Sequence, residues 1–255
     1  MKMNDKTRDR LLGVGSPLLL LLLWEISARG GLIDVRFFPA PSAIAAQAVV
    51  LTASGELWGH LAASLRRLAW GTLLGGIPAL LLGITMGLYR PVRAAIDPLI
   101  SATYPVPKSA ILPLILLIFG LGEASKIVMV ALGVFFPVLI NTITGVLQID
   151  KIYLDVGKNF RATRWQTFRT VALPGAMPSI MAGIKLGIGM GLILIAIAEM
   201  VGAKNGIGFM IWDAWQILSV ETMYVGLIVI SILGFLLTLI LNEIEGWILP
   251  WKQER

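Results

Sequence analysis

Six stretches of this 255-residue chain stay apolar for about the 20 residues that a helix needs to cross a hydrocarbon core roughly 30 Å thick. They lie near residues 11–28, 67–88, 97–120, 126–147, 178–200 and 222–246. The whole chain agrees with them: 57% of its residues are hydrophobic, only 14% are charged, and the mean hydropathy of +0.84 exceeds what a soluble domain with a polar surface tolerates. No internal repeat and no low-complexity tract separates the stretches. The expectation is an all-α polytopic membrane protein with six transmembrane helices. It divides into an amino-terminal tail (1–10), one transmembrane domain (11–250, core about 61–246) and a short carboxyl tail (251–255).

Several chemistries are disfavoured at once. The chain has no cysteine, so it offers no thiolate nucleophile, disulfide framework or Cys-ligated metal. His60 is its single histidine, which leaves neither a His-rich metal site nor a Ser/His/Asp triad within one chain. No catalytic or metal-ligating residue is therefore assigned. No G-x-x-x-x-G-K-[ST] loop is present to cradle ATP phosphates. The net charge of +6 fits loop charges facing anionic lipid, so membrane lipid is a partner and nucleic acid is not.

The first stretch has a second reading. Lys2, Lys6, Arg8 and Arg10 before LLGVGSPLLLLLLW resemble the start of a signal peptide, but Trp24, Glu25 and Arg29 follow in place of a small-residue cleavage site. With that span retained and the amino terminus inside, thirteen Lys and Arg fall on the cytoplasmic side. Six fall outside: Arg29, Arg36, Arg66, Arg67, Lys126 and Lys204. The excess places both termini in the cytoplasm. Trp24, Trp58, Trp70, Trp165, Trp212, Trp215, Trp247 and Trp251 all sit near expected span ends, as interfacial tryptophans do.

On that orientation the segment DVGKNFRATRWQTFRTVALPGAMP (155–178) is cytoplasmic. Tyr153, Val156 and Phe160 recur at helical spacing while Asp155, Lys158 and Arg161 point elsewhere, so the spacing predicts a short amphipathic helix. It either lies on the lipid surface or enters a groove on a partner. Pro178 suits the first turn of the fifth span.

This segment resembles the EAA loop of permease subunits from binding-protein-dependent ABC importers. In that pattern E-A-A is followed after three residues by G, then after nine by I-x-L-P. Here those places hold Asp155, Val156 and Gly157, then Arg161, then Val171, Leu173 and Pro174, at the same spacing. TASGELWGHLAASLRR, YPVPKSAILPLILLIFGLGEASKI, ALPGAMPSIMAGIKLGIGMGLILIAIAEMVGAKNGIG and ILPWK are similar to the nitrate/sulfonate/taurine branch, so the likeness runs from about 36 to 252.

The resemblance implies a type I importer transmembrane domain whose loop at about 150–176 forms a coupling helix against a cytoplasmic ATPase. Asp155, Val156, Gly157, Phe160, Arg161 and Ala162, with Leu173 and Pro174, would make that contact. It further implies a second permease copy, two ATPase subunits that carry the ATP and magnesium, and an extracytoplasmic solute-binding protein, all in a bacterial cell membrane. No cofactor is expected on this chain. Asp155 is shorter than the usual Glu, and Arg161 replaces the usual Gly. Either Arg161 takes up the backbone turn of that glycine at a cost in strain, or it continues the helix and pairs with an acid on the ATPase.

Lys108, beside Tyr104 in YPVPKSAILP, is a basic residue inside an expected span, where charge marks function by default. Pro105, Pro107 and Pro113 remove backbone donors and break or kink the helix there. Lys108 either lines the solute path, attracting a small anion, or snorkels to the cytoplasmic face. Lys185, about two turns inside Pro178, is assigned to snorkelling. Glu199 is either a part of the outer gate or interfacial. GAKNGIGF permits a tight turn before a short helix with Trp212 and Trp215, and that loop, with PSAIAAQAVVLTASGELWGH, is the expected docking side for a binding protein. Two rivals remain. A stand-alone secondary transporter would need paired interrupted helices, and a membrane enzyme would need clustered catalytic groups.

Overall fold

The computed structural model describes residues 5–251, and among them every regular element is a helix. The tail residues 1–4 and 252–255, and the charges assigned to them, lie outside the described residues. Helix α1 (Asp5–Arg29) is followed by α2 (Pro41–Ala53), whose 13 residues are too few to span. Glu25 joins the two, because its carboxylate accepts from the Ser42 amide at 2.9 Å and the Ser42 hydroxyl at 2.7 Å. That carboxylate meets donors left unpaired at the start of α2. Trp24 meets the Tyr224 ring at 5.6 Å, tying α1 to the last helix.

Three helices form the centre: α3 (Glu56–Leu88), α6 (Glu123–Leu147) and α9 (Leu173–Met200). Lipid tails are as apolar as leucine, so such helices associate through close packing and polar contacts rather than burial from water. The sequence supplies small residues at four-residue spacing on α3: Gly71, Gly75, Ala79, Gly83 and Gly87. A Cβ on Gly83 would come within 2.7 Å of Thr142, and one on Gly87 within 2.5 Å of Val146. On the other side of α6, a Cβ on Gly145 would lie 2.7 Å from Ser179 of α9. The backbones therefore approach as far as glycine permits, and Val130, Val134, Val138 and Leu139 of α6 fill the space between.

The expected third span is not straight. Helix α4 (Arg90–Thr103) and α5 (Leu112–Phe119), the latter entered through a 3₁₀ turn at Lys108–Ile111, are bent by 84° across residues 104–107. Pro105 and Pro107 supply no amide hydrogens there, which is the anticipated break. Short α7 (Lys151–Asn159) follows α6. The chain then enters α8 (Arg164–Thr167), passes a π-helical turn (Phe168–Ala172) and runs directly into α9. The first turn of α9 therefore holds Leu173 and Pro174, while Pro178 lies inside the helix, which corrects the expected start. Helices α10 (Ile207–Gln216) and α11 (Val220–Ile248) complete the chain.

Among the described residues four helical stretches are long and apolar enough to cross a membrane: those containing α3, α6, α9 and α11. The bent pair makes a fifth crossing if counted as one. The first of the six expected spans falls in α1, whose opening side chains lie outside the described residues.

Candidate functional site

The segment between α6 and α9 has its own capping. Asp150 accepts from the Ile152 amide at 3.0 Å through Oδ1 and so starts α7. Its apolar side chains are left uncovered: Tyr153, Val156 and Phe160 are all exposed, Phe160 at 83%. Asp155 is exposed, Gly157 lies within α7 and Ala162 is half-buried. Leu173 packs against Val146, Ala176 and Ile180, while Pro174 lines an open groove with Tyr153, Asp150 and Trp251.

The helix ends at Asn159, and Arg161 has φ of +52°, the left-handed region. Arg161 therefore does not continue the helix; it holds the backbone turn that glycine makes without steric cost. Immediately after it, the Thr163 amide donates to Gln166 Oε1 at 2.8 Å and the Gln166 amide to Thr163 Oγ1 at 3.2 Å. This reciprocal T-x-x-Q cap, a signal that the sequence carries, restarts the helix.

If the turn is a backbone requirement, Arg161→Gly should keep ATPase binding and change the unfolding free energy by no more than about 1 kcal/mol, since relief of strain offsets lost chain stiffness. Arg161→Val should lose more than about 1 kcal/mol, because a β-branched residue tolerates positive φ poorly. Loss of ATPase binding in the glycine variant would instead assign the role to the guanidinium.

At the opposite end of α9 lies a buried ionic cluster. Arg67 and Lys126, counted among the charges outside, are 2% and 1% exposed, and Glu199, expected in the outer gate or at an interface, is 1% exposed. Arg67 donates to Glu123 at 3.0 and 2.5 Å, to Glu199 at 2.8 Å, and to the carbonyl and side chain of Asn205 at 2.8 and 2.5 Å. Glu199 also accepts from the Ser64 hydroxyl and from the Gly208 amide at 3.0 Å. Ser64 Oγ in turn accepts from the Ile207 amide at 2.9 Å. The opening amides of α10 are thus held by groups from α3 and α9. Lys126 donates to the carbonyls of Leu121 and Gly202, so both faces of the 201–206 turn are bonded to the helices below. Gly206, at φ +114°, faces the Glu199 carboxylate so closely that a Cβ would strike it.

Lys108 and Tyr104 come together at the break, with the ammonium 6.0 Å from the Tyr104 ring and 4.2 Å from that of Phe136. Phe136 lies near the middle of α6, so Lys108 is level with the centre of that helix and not at an end of it. Lys185 is bonded to Asn242 and Glu245, near the carboxyl end of α11. Among the described residues no group of three His, Cys, Asp or Glu side chains could hold a metal ion.

Residues 79–252 match the family described as binding-protein-dependent transport system inner membrane component. The taurine transport system permease protein TauC of Escherichia coli is 36% identical, over 97% of this chain and 92% of its own length. A putative aliphatic sulfonates transport permease protein, SsuC of Bacillus subtilis, is 34% identical over 94% of this chain and 87% of its own. Among solved structures, a chain of the MetNI methionine ABC transporter in an inward-facing conformation superposes with a TM-score of 0.54 at 23% identity, covering 75% of this chain and 94% of that one. That likeness concerns the fold.

Proposed function

The chain belongs to the family of binding-protein-dependent transport system inner membrane components, and from that premise we propose that it carries a small organic sulfonate such as taurine. It is a multi-pass permease subunit of an ABC importer, not an enzyme, and works with an ATPase and a solute-binding protein. In this reading two copies enclose the path, each coupling helix α7 enters a cleft on one of two ATPases, and the α9–α10 turn faces the binding protein outside. Closure of the ATPases on ATP turns the path outward, and hydrolysis returns it inward.

The observation that carries the coupling assignment is the uncovered apolar face of Tyr153, Val156 and Phe160, on a helix too polar to enter lipid. Val171, Leu173 and Pro174 continue the EAA-like pattern into α9, so a push on α7 is delivered to a core helix. Both termini are placed in the cytoplasm. Burial of Arg67 and Lys126 supports this, because two of the six charges counted outside are bonded internally, Arg67 to Glu199 and Lys126 to backbone carbonyls.

Sulfonate is favoured as solute by the two relatives and by the positive charge of Lys108 at mid-depth. The test is uptake into liposomes holding the chain with its ATPase, supplied outside with the binding protein. Taurine or ethanesulfonate should accumulate only with ATP on the ATPase side and should resist an ionophore. Uptake without ATP that an ionophore abolishes would establish a secondary transporter instead.

A further inference from the structure

The carbonyls at the break between α4 and α5 have lost their helical donors. In an unbroken helix Thr103 O would accept from the amide of residue 107, but that residue is a proline, and the Val106 amide reaches Thr103 O at 3.3 Å in its place. Tyr104 O would accept from the backbone of Lys108 and Val106 O from that of Ala110; the Ala110 amide bonds Pro107 O instead. All three oxygens receive the Lys108 side chain: Nζ lies 2.9 Å from Thr103 O, 3.0 Å from Tyr104 O and 2.9 Å from Val106 O. An ammonium has three hydrogens, and these three acceptors account for all of them. The face of Phe136 lies 4.2 Å away, adding a ring-face attraction for the same charge. The carboxyl end of α4, where helix dipoles favour a cation, points at this spot.

Unwound carbonyls at a helix break near mid-depth are the kind of site that holds a free cation in membrane transporters. We propose that Lys108 is a tethered cation: its ammonium fills a carbonyl cage that a small monovalent cation would otherwise occupy, and it sets the 84° bend rather than donating hydrogen bonds to solute. Its charge still contributes to the field of the path, but its hydrogens are committed to the chain. Lys108 is therefore a positioning residue. A lysine in the chain also makes the bend independent of the ions in the medium, which a free-ion site would not.

Removing the side chain should open the site to cations from solution. In the reconstituted complex, Lys108→Ala assayed in choline buffer should take up solute at least about tenfold more slowly than wild type. Methylammonium or potassium should restore the rate saturably, and choline, too bulky for the cage, should not. Lys108→Arg should stay slow in every buffer, because a planar fork cannot replace a tetrahedral ammonium. Wild type should respond to none of these ions.

The thermal midpoint of the purified chain gives a second reading through the same ion series, should Lys108→Ala assemble poorly. The cation-dependent midpoint alone then decides the matter. Wild-type uptake by Lys108→Ala, full activity of Lys108→Arg, or a loss that no small cation reverses in either assay would overturn the proposal. The uptake arm rests on the importer reading and the midpoint arm does not. A wild-type chain that fails to transport would thus count against the former alone.

Discussion

Arg67→Ala is expected to lower stability by about 3–5 kcal/mol, because removing one member of a buried ion pair leaves its partner charged and unmatched. Glu199 is 1% exposed and would retain only the Ser64 hydroxyl and the Gly208 amide, while Asn205 would lose two bonds at once. The effect should be local before it is global. The 201–206 turn should become accessible to protease or hydrogen exchange at temperatures where α6 and α9 remain protected. A double variant, Arg67→Met with Glu199→Gln, should recover part of the loss, since removing both charges leaves no unmatched buried carboxylate at position 199. The measurement is the unfolding midpoint in detergent for the wild type and the two variants. A cost below about 1 kcal/mol for Arg67→Ala would mean that water reaches the cluster and that it behaves as a surface pair.

Phe160→Asp is expected to abolish association with the ATPase while leaving the membrane domain folded. Phe160 is 83% exposed and makes no core contact, so its loss should barely change the chain's own stability. At an interface the same side chain would be a central anchor. Its truncation would cost about 2–4 kcal/mol, which corresponds to roughly 30- to 1,000-fold in affinity. A carboxylate driven into the same apolar cleft adds a desolvation penalty. Unchanged unfolding together with lost ATPase binding separates a docking face from a packing residue. Size exclusion of the mixed subunits, with the midpoint of the chain alone, checks both halves.

The four long spans and the broken one were legible because each is a local signal. An apolar run of about 20 residues needs no partner to be recognised, and Pro105 and Pro107 remove donors wherever they stand. The start of α3 was not legible, because hydropathy treats Arg67 as water-seeking when its charge is in fact used by Glu123 and Glu199. Those partners are 56 and 132 residues away, and no local spacing announces them. One clue existed: Ser64, Arg67 and Gly71 follow one another at three and four residues, so they share a helix face with the buried small residues. The burial of Lys126 by the Leu121 and Gly202 carbonyls, and the pairing of Lys185 with Glu245 of α11, were likewise not announced by any local spacing.

Arg161 shows the complementary case. The departure from glycine was visible, but whether the turn or the side chain had changed was a question about φ, and the value of +52° answers it. The residues proposed to face the ATPase were legible only through resemblance. An exposed Tyr153, Val156 and Phe160 describe an apolar face equally suited to lipid or to protein, and nothing within one chain identifies what covers it.

The central claim is that α7 is the contact through which an ATPase drives this permease. It is tested most directly by native mass measurement of the chain co-expressed with its partner ATPase. A complex of two permeases and two ATPases that disappears in the Phe160→Asp variant is the predicted result. A wild-type chain that runs free of any ATPase, or a complex indifferent to Phe160→Asp, would contradict it and return α7 to the lipid surface.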